Sequence, residues 1–312
     1  MAGINHERVV ATQDKGMAED WNKDHKQTGN HDVEQHQFLN NVIENRTDFP
    51  AGPVAGQVIF RTDENRFYVW NGVKWDTFVS PATIVVAADG TGHTTNVQIG
   101  IDMLSVIGGV IYIKEGTYIG DVVINKNNVK LMGAGKSSHI KGALTATNIS
   151  GVQVRDLQLE TTTLTRNVIG GCDEFVISGC FIHGTALIGL SILVTERSMV
   201  LNNHVYGHAG AGAFGIYISA NDAGEYVGPV KDCTVTGNIC YNNQSVGISL
   251  FATPTNECDD NVITGNRVFG SGTGVFLNHA NCNRNIIVSN TLNGTTTPIA
   301  DDGTATEIAH NT

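Results

Sequence analysis

The sequence of 312 residues predicts an all-β solenoid, in which short strands stack turn upon turn. A short strand ending in a small or polar corner recurs every 23 to 35 residues, with corners at 180, 203, 238, 266 and 290. A second short strand recurs between these corners, with the sequences GLSI, GIYI, GISL and GVFL. The chain also has 36 Gly but only 6 Pro, which suits repeated tight corners.

The overall composition argues against several classes of protein. The formal net charge of −11, from 19 Lys+Arg and 30 Asp+Glu, argues against a nucleic-acid partner. Hydrophobic residues make up 41% of the chain and charged residues 16%, which indicates a packed core rather than disorder. No apolar run reaches the roughly 18 residues of a membrane span, and the first twenty residues lack the apolar stretch of a signal peptide. We therefore expect no membrane insertion.

The Pro residues mark the boundaries of three modules, 1–50, 51–81 and 82–312. The first module is polar. Its one helical pattern is His36–Arg46, where apolar side chains pair at i and i+4, and Asp32 precedes it as a candidate N-cap. Because an isolated helix of this length is marginally stable, we expect it to pack on another chain or a larger assembly.

The second module alternates apolar and polar residues over Gly56–Phe78. This pattern predicts three strands, with turns at 63–65 and 71–72. So short a module buries little surface. Two interpretations of Trp70 and Trp75 therefore stay open: a small local core, or a docking surface.

The third module begins with a characteristic order of motifs. ADGTG at 88–92 leads into a helical pattern over Asn96–Ser105, and GGVIYI, GTY and VKLMGAG follow at 108–113, 116–118 and 129–135. This order resembles the start of the pectate-lyase-like superfamily of right-handed parallel β-helices. The resemblance implies a right-handed parallel β-helix with a short capping helix, which degenerate repeats continue to the end of the chain.

Stacking brings equivalent residues of successive turns into columns. Asn203, Asn238, Asn266 and Asn290 form one column, and we expect their amides to hydrogen-bond along the rod. Eight turns at roughly 4.8 Å would make a rod about 40 Å long. Six Cys are too few for a disulfide scaffold, and we expect them to behave as small core residues.

Two further columns are predicted to point outward and carry aromatic rings. They contain His183, Tyr206, Tyr241 and Phe269 in one column, and Ser191, Tyr217, Ser249 and Phe276 in the other. Rings stacked along an exposed sheet need covering. Two interpretations stay open, and we favour the second: sugars stacking on the rings, or an interface between subunits, most simply in a homotrimer.

The loops after the second strand of each turn carry acidic residues. Counting seven residues from Gly189 and from Gly215 reaches Glu196 and Asp222, which this register brings to adjacent turns. Two close carboxylates push one pKa upward and can serve as general acid and base or nucleophile in glycoside hydrolysis. The candidate catalytic residues are Asp222, Glu225 and Glu196, and the candidate substrate-binding residues are Tyr217, Tyr226, Glu257, Asp259 and Asp260.

We expect neither a metal nor a cofactor. His204 and His208 are four residues apart, but the Gly-rich sequence around them is not helical, which argues against a zinc site. The resemblance to pectate lyases would imply calcium held by aligned Asp and a basic residue as proton acceptor. No Lys or Arg matches Asp222, Asp259 and Asp260 in the repeat, which weakens the lyase hypothesis.

The leading segments suggest where the protein works. ATQDKG at 11–16, DWN at 20–22 and NGVKW at 71–75 resemble small N-terminal attachment modules of bacteriophage tail proteins. The resemblance implies a phage virion appendage, a tailspike or tail fibre, that recognises host surface polysaccharide and contacts other virion proteins through residues 1–81. The alternatives are a polysaccharide depolymerase, hydrolase or lyase, acting through the loop carboxylates, and a purely structural virion protein.

Overall fold

The structure is a computed structural model that describes residues 43–64, 66–77, 83–161, 166–184, 187–221 and 226–312. The chain divides into two compact units, Met1–Phe78 and Val79–Thr312. Within the described residues, the first unit holds a four-stranded sheet and the second holds a β-solenoid.

The sheet of the first unit has four strands among the described residues. In chain order they are Glu44–Arg46 (β1), Val58–Arg61 (β2), Arg66–Trp70 (β3) and Trp75–Thr77 (β4). β2, β3 and β4 are antiparallel neighbours, as the alternating sequence predicts, and β1 pairs in parallel with β2.

The predicted helix over His36–Arg46 is wrong at its end, because Glu44–Arg46 forms strand β1. Pairing with β2 satisfies the backbone of these three residues, and a weak helical pattern does not compete with that pairing. Residues 36–42 and the candidate cap Asp32 lie outside the described residues.

Both tryptophans of the first unit belong to one aromatic cluster. The rings of Trp70 and Trp75 lie 5.6 Å apart, and Phe49 stacks on Trp75 at 5.5 Å. Phe49 also meets Tyr68 edge-on at 5.0 Å. These contacts favour the local core over the docking surface.

Each turn of the second unit passes through three faces, and the strands within each face are parallel. The first face contains Thr83–Val86 (β5), Gly109–Ile113 (β6), Val129–Lys141 (β9), Gln153–Thr161 (β11), Val176–Ser178 (β13), Met199–Leu201 (β16), Thr234–Thr236 (β20), Val262–Thr264 (β24), Ile286–Val288 (β27) and Glu307–Ala309 (β29). The second face contains Gly116–Ile119 (β7), the C-terminal parts of β9 and β11, Phe181–Gly184 (β14), His204–Tyr206 (β17), Ile239–Tyr241 (β21) and Arg267–Phe269 (β25).

The third face completes each turn. It contains Val122–Ile124 (β8), Leu144–Thr147 (β10), Asn167–Gly170 (β12), Ile188–Leu193 (β15), Phe214–Ser219 (β18), Val246–Phe251 (β22), Thr273–Leu277 (β26) and Thr297–Asp301 (β28). A short pair, Val230–Lys231 (β19) with Cys258–Asp259 (β23), lies at one corner. Over the described residues the solenoid makes about nine turns, one more than the sequence predicts.

The predicted helix is confirmed as Val97–Met103 (α1), the one helix of the described residues. Asn96 caps its N-terminus, since its Oδ1 accepts a hydrogen bond from the Ile99 N–H at 3.0 Å. Val97 and Ile101 are buried against the solenoid core. The helix therefore covers apolar surface of the early turns.

The predicted asparagine ladder is present and runs one rung further. Each amide Nδ2 donates to the Oδ1 of the next residue: Asn203 to Asn238 at 3.0 Å, Asn238 to Asn266 at 3.0 Å, Asn266 to Asn290 at 2.9 Å and Asn290 to Asn311 at 3.0 Å. A residue with positive φ precedes each amide, and Gly supplies it without strain before Asn238 and Asn266. The ladder therefore fixes one corner of successive turns.

Apolar side chains pack the interior next to these corners. Ile182, Val205, Cys240, Val268 and Leu292 form one stacked column, each with at most 2% of its surface exposed. All six cysteines lie among the described residues, and all are buried and unbridged, as predicted. No turn can cover its own inner face, so stacking supplies the core.

Candidate functional site

The outward side of the second face carries a continuous row of rings and polar groups, which we call the aromatic face. Strand register aligns its side chains in two columns from β9 to β25. One column holds His139, Gln158, Phe181, His204, Ile239 and Arg267, and the other holds Lys141, Glu160, His183, Tyr206, Tyr241 and Phe269. Alternation along each strand sends these side chains outward and their neighbours into the core.

Four rings of the second column form one stack along the rod. Ring centroids of His183 and Tyr206 lie 5.1 Å apart, those of Tyr206 and Tyr241 4.8 Å, and those of Tyr241 and Phe269 5.3 Å. The ring plane of Tyr241 makes an angle of only 6° with that of Tyr206 and of 6° with that of Phe269. The strand spacing of about 4.8 Å sets this stacking distance.

The stacking changes how these rings could meet a ligand. The interpretation from the sequence had sugars stacking on the rings. The faces of Tyr206 and Tyr241 are covered by neighbouring rings, so a sugar cannot lie flat on these two side chains. Their edges, which carry the phenol hydroxyls, are the parts left for outside contact. Burial raises the pKa of Tyr206, so its hydroxyl stays protonated and able to donate.

Cationic groups border the rings. Phe181 stacks on His204 at 4.8 Å, and the Lys136 ammonium lies 4.4 Å from the Phe181 ring centre. The Arg267 guanidinium lies 4.8 Å from the ring centre of Phe269. The aromatic face therefore mixes half-buried rings with hydrogen-bond donors.

A polar cluster occupies the start of the aromatic face. Nε2 of His139 lies 2.9 Å from Oε2 of Glu160, and Nζ of Lys141 lies 3.3 Å from Oε1 of Glu160. Gln158 Nε2 lies 2.8 Å from His183 Nε2. Burial alone would raise the pKa of Glu160, but the hydrogen bond and charge of Lys141 outweigh it and lower the pKa. Burial lowers the pKa of His183.

We expect His204 to make the protein less stable in acid. Burial lowers its pKa in the folded state, so the unfolded chain binds more protons below about pH 6.5, and stability falls as the pH drops. His204→Phe keeps a ring against Phe181 but cannot be protonated. Urea unfolding near pH 7 and pH 5 should show that the free energy of unfolding falls less in the variant than in the unchanged chain. An equal fall in both proteins would contradict this role of His204.

Two predicted ligand-binding tyrosines lie on the outward side of the third face. Tyr217 is half-buried between the rings of Phe214, at 5.1 Å, and Phe251, at 5.7 Å. Tyr226 is buried against Gly170, where a Cβ would meet its ring at 2.6 Å. Tyr226 therefore covers the sheet and offers little surface to a ligand.

The predicted acidic residues that the structure describes lie at the corner before the first face: Glu196, Glu257, Asp259 and Asp260. Glu196 lies in a column of residues from successive turns, with Asp173 one turn before it and Lys231 one turn after it. Its carboxylate lies 2.9 Å from Arg197, which also approaches Asp173 at 3.8 Å. Asp222 lies outside the described residues, so its counted position beside Glu196 stays a prediction.

The next turns bring three predicted residues together. Lys231 lies 3.1 Å from Glu257, and Arg284 lies 3.0 Å from Asp259 and 2.8 Å from Asp260. Burial raises the pKa of Asp259, whose carboxylate is fully buried, while the hydrogen bond from Lys231 lowers the pKa of Glu257. Glu257 and Asp259 thus have opposite pKa shifts.

The structure corrects the expectation that no basic residue matches these acids. Arg284 stands one turn after Asp260 in the column of positive-φ corner residues, and Lys231 pairs in register with Asp259. Reasoning from sequence missed Arg284 because the intervening loops differ in length. The candidate catalytic residues Asp222 and Glu225 lie outside the described residues.

Comparison with known proteins assigns the chain to a family. Residues 109–292 match the family model described as the right handed beta helix region. This match covers more than half of the chain, so the chain belongs to the right-handed β-helix family. No curated protein matches the sequence. Among the described residues, no helix is long and apolar enough to cross a membrane.

Several solved structures are similar to this chain at low sequence identity. Pectin methylesterase from carrot is 17% identical over 73% of this chain and 82% of that chain, with a TM-score of 0.49. A tailspike protein mutant of E. coli bacteriophage HK620, in complex with a pentasaccharide, is 14% identical over 66% of this chain and 44% of its own, with a TM-score of 0.45. The mannuronan C-5 epimerase AlgE4 A-module of Azotobacter vinelandii is 15% identical over 70% of this chain and 95% of that chain, with a TM-score of 0.33.

Proposed function

We propose that this chain is a polysaccharide-binding protein of a phage virion and that the glycan lies along the aromatic face. The observation that carries the proposal is the regular outward column of His183, Tyr206, Tyr241 and Phe269. The six stacked strands from β9 to β25 give this face a length of about 24 Å, enough for several sugar units.

The chemistry of the aromatic face suits a glycan. Sugars present hydroxyl groups alternating with small apolar patches, so a surface that combines aromatic rings with polar side chains suits them. Gln158, Glu160 and His204 supply such polar groups beside the tyrosine hydroxyls of the stack. A face of this kind binds by many modest contacts repeated from turn to turn.

Binding to a panel of purified bacterial O-antigen and capsular polysaccharides tests the proposal. Calorimetry should find at least one polysaccharide that binds the intact chain. The change Gln158→Ala with Tyr206→Phe removes polar groups of the aromatic face and keeps the rings stacked, so it should weaken binding. The matched change Glu174→Gln, at the exposed corner, should not. Failure of every polysaccharide in the panel would contradict the proposal.

A virion location is the finer part of the proposal. It is supported by the resemblance of residues 1–78 to phage attachment modules, through which the chain would contact other virion proteins. Antibodies raised against the solenoid should label intact particles of the phage that encodes this chain. Labelling of cell extracts but not of particles would contradict the location.

A homotrimer would compete for the same surface if the aromatic column formed its interface. Light scattering coupled to gel filtration measures the mass without any ligand. A single-chain mass leaves the aromatic face open for a glycan. A threefold mass that falls to a single-chain mass in Tyr241→Ala would assign the face to the interface instead, and would overturn the glycan site.

The carboxyl groups of Glu257 and Asp259, which both neighbour Lys231, favour a second candidate function, polysaccharide cleavage. Two carboxyl groups with opposed pKa shifts are the requirement for general acid and base chemistry. If the pair is catalytic, Glu257→Gln should lower the release of reducing ends from a bound polysaccharide at least 100-fold. Glu174→Gln serves as control, and Asp222→Asn tests the other carboxylates. Full cleavage by Glu257→Gln would exclude the pair.

A further inference from the structure

We propose that His139, Glu160 and His183 bind one divalent transition-metal ion, for which zinc is the best match. The three residues come from β9, β11 and β14, which are successive strands of the aromatic face. One nitrogen or oxygen of each residue lies within 4.8 Å of those of the other two, and all three side chains are half-buried. Two imidazoles and one carboxylate are a common set of zinc ligands in proteins.

Among the described residues, one ligand atom of the cluster has no hydrogen-bond partner. Nε2 of His139 is buried, yet it makes no hydrogen bond of acceptable geometry within the described residues, although Oε2 of Glu160 lies only 2.9 Å away. Zinc bonds of about 2.0–2.2 Å in a tetrahedron separate ligand atoms by about 3.3 Å. Side-chain shifts of about 1 Å would therefore close the site.

Neighbouring side chains would hold the ligands in place. Lys141 Nζ lies 3.3 Å from Oε1 of Glu160, which leaves Oε2 for the metal. Such contacts around a metal set the orientation of its ligands. Gln158 has the opposite effect, because its Nε2 lies 2.8 Å from Nε2 of His183 and would have to rotate away when a metal binds.

The site would also fix one end of the ring stack. The His183 ring stacks on Tyr206 with centroids 5.1 Å apart and planes 19° from parallel. A metal that joins His183 to two earlier turns would hold this ring at one angle. Metal binding would thus stiffen the aromatic face across three turns of the solenoid.

Titration of the full, untagged chain with zinc chloride, followed by calorimetry, tests the proposal. We expect one zinc ion per chain. His139→Ala, Glu160→Gln and His183→Ala should each weaken zinc binding more than about tenfold. Gln158→Ala should leave zinc affinity unchanged or raise it, because it removes the competitor for His183. Cobalt(II) bound to the same site should give visible absorption bands that the His183→Ala variant lacks.

Other histidines provide the control. His204→Ala removes a half-buried imidazole of the same face that is no member of the cluster, and it should bind zinc like the unchanged chain. Melting curves without metal verify that each variant is folded, and zinc should raise the melting temperature only where the three ligands are intact. Zinc affinity that is the same in His139→Ala, His183→Ala and the unchanged chain would overturn the proposal.

Discussion

Replacing Asn266 by Ala is expected to lower the free energy of unfolding by about 3–5 kcal/mol. Its Nδ2 donates to the carbonyl of Val235 and to Oδ1 of Asn290, both at 2.9 Å. Its Oδ1 accepts from the backbone N–H of Asn238 at 2.9 Å and from Nδ2 of Asn238 at 3.0 Å. Alanine leaves these buried groups without partners and adds a cavity.

Urea unfolding followed by circular dichroism measures this effect. Asn311→Ala is the matched control, because Asn311 is the half-exposed last rung and water can replace its bonds. The control should lose about 1 kcal/mol. A loss for Asn266→Ala no larger than that of the control would show that the ladder contributes little to stability.

Replacing Tyr241 by Ala is expected to weaken polysaccharide binding at least tenfold. The change removes one hydroxyl edge and both ring contacts, with Tyr206 at 4.8 Å and with Phe269 at 5.3 Å. Loss of the two ring contacts should also lower the free energy of unfolding by about 1–3 kcal/mol. Tyr206 and Phe269 would lose their alignment, and with it the regular spacing that the glycan meets.

Tyr241→Phe separates the two effects. It keeps the ring stack and removes only the hydroxyl, so it should preserve stability while weakening binding by a smaller factor. Calorimetry with the polysaccharide and thermal melting measure both quantities on the same samples. Unchanged affinity in Tyr241→Ala, in a protein that is still folded, would remove the stack from the binding surface.

The repeated residues were enough to predict a solenoid of stacked short strands, and the family resemblance implied its right-handed parallel form. The ladder from Asn203 to Asn290 and the interior column containing Cys240 recur at positions where each turn needs the same corner and the same core residue. The helix Val97–Met103 followed from its apolar face. Such features repeat because every turn solves the same packing problem.

The contacts between outward side chains were harder to predict. Loop lengths differ from turn to turn, so counting residues did not reveal that Lys231 follows Glu196 in its column. Register shifts around Leu157 set His139 opposite Gln158, and this offset brings His139 to Glu160. A bulge leaves little trace in the sequence, because it changes alignment without changing the apolar pattern.

Hydroxyl-radical footprinting of the chain with and without a bound polysaccharide tests the central claim most directly. Our account predicts that the polysaccharide protects Tyr206 and Tyr241 from oxidation, while Tyr217 and Tyr226 on the third face keep their reactivity. Protection of Tyr217 together with the corner around Glu257, and none at Tyr206 or Tyr241, would contradict the account and would move the glycan to the acidic corner.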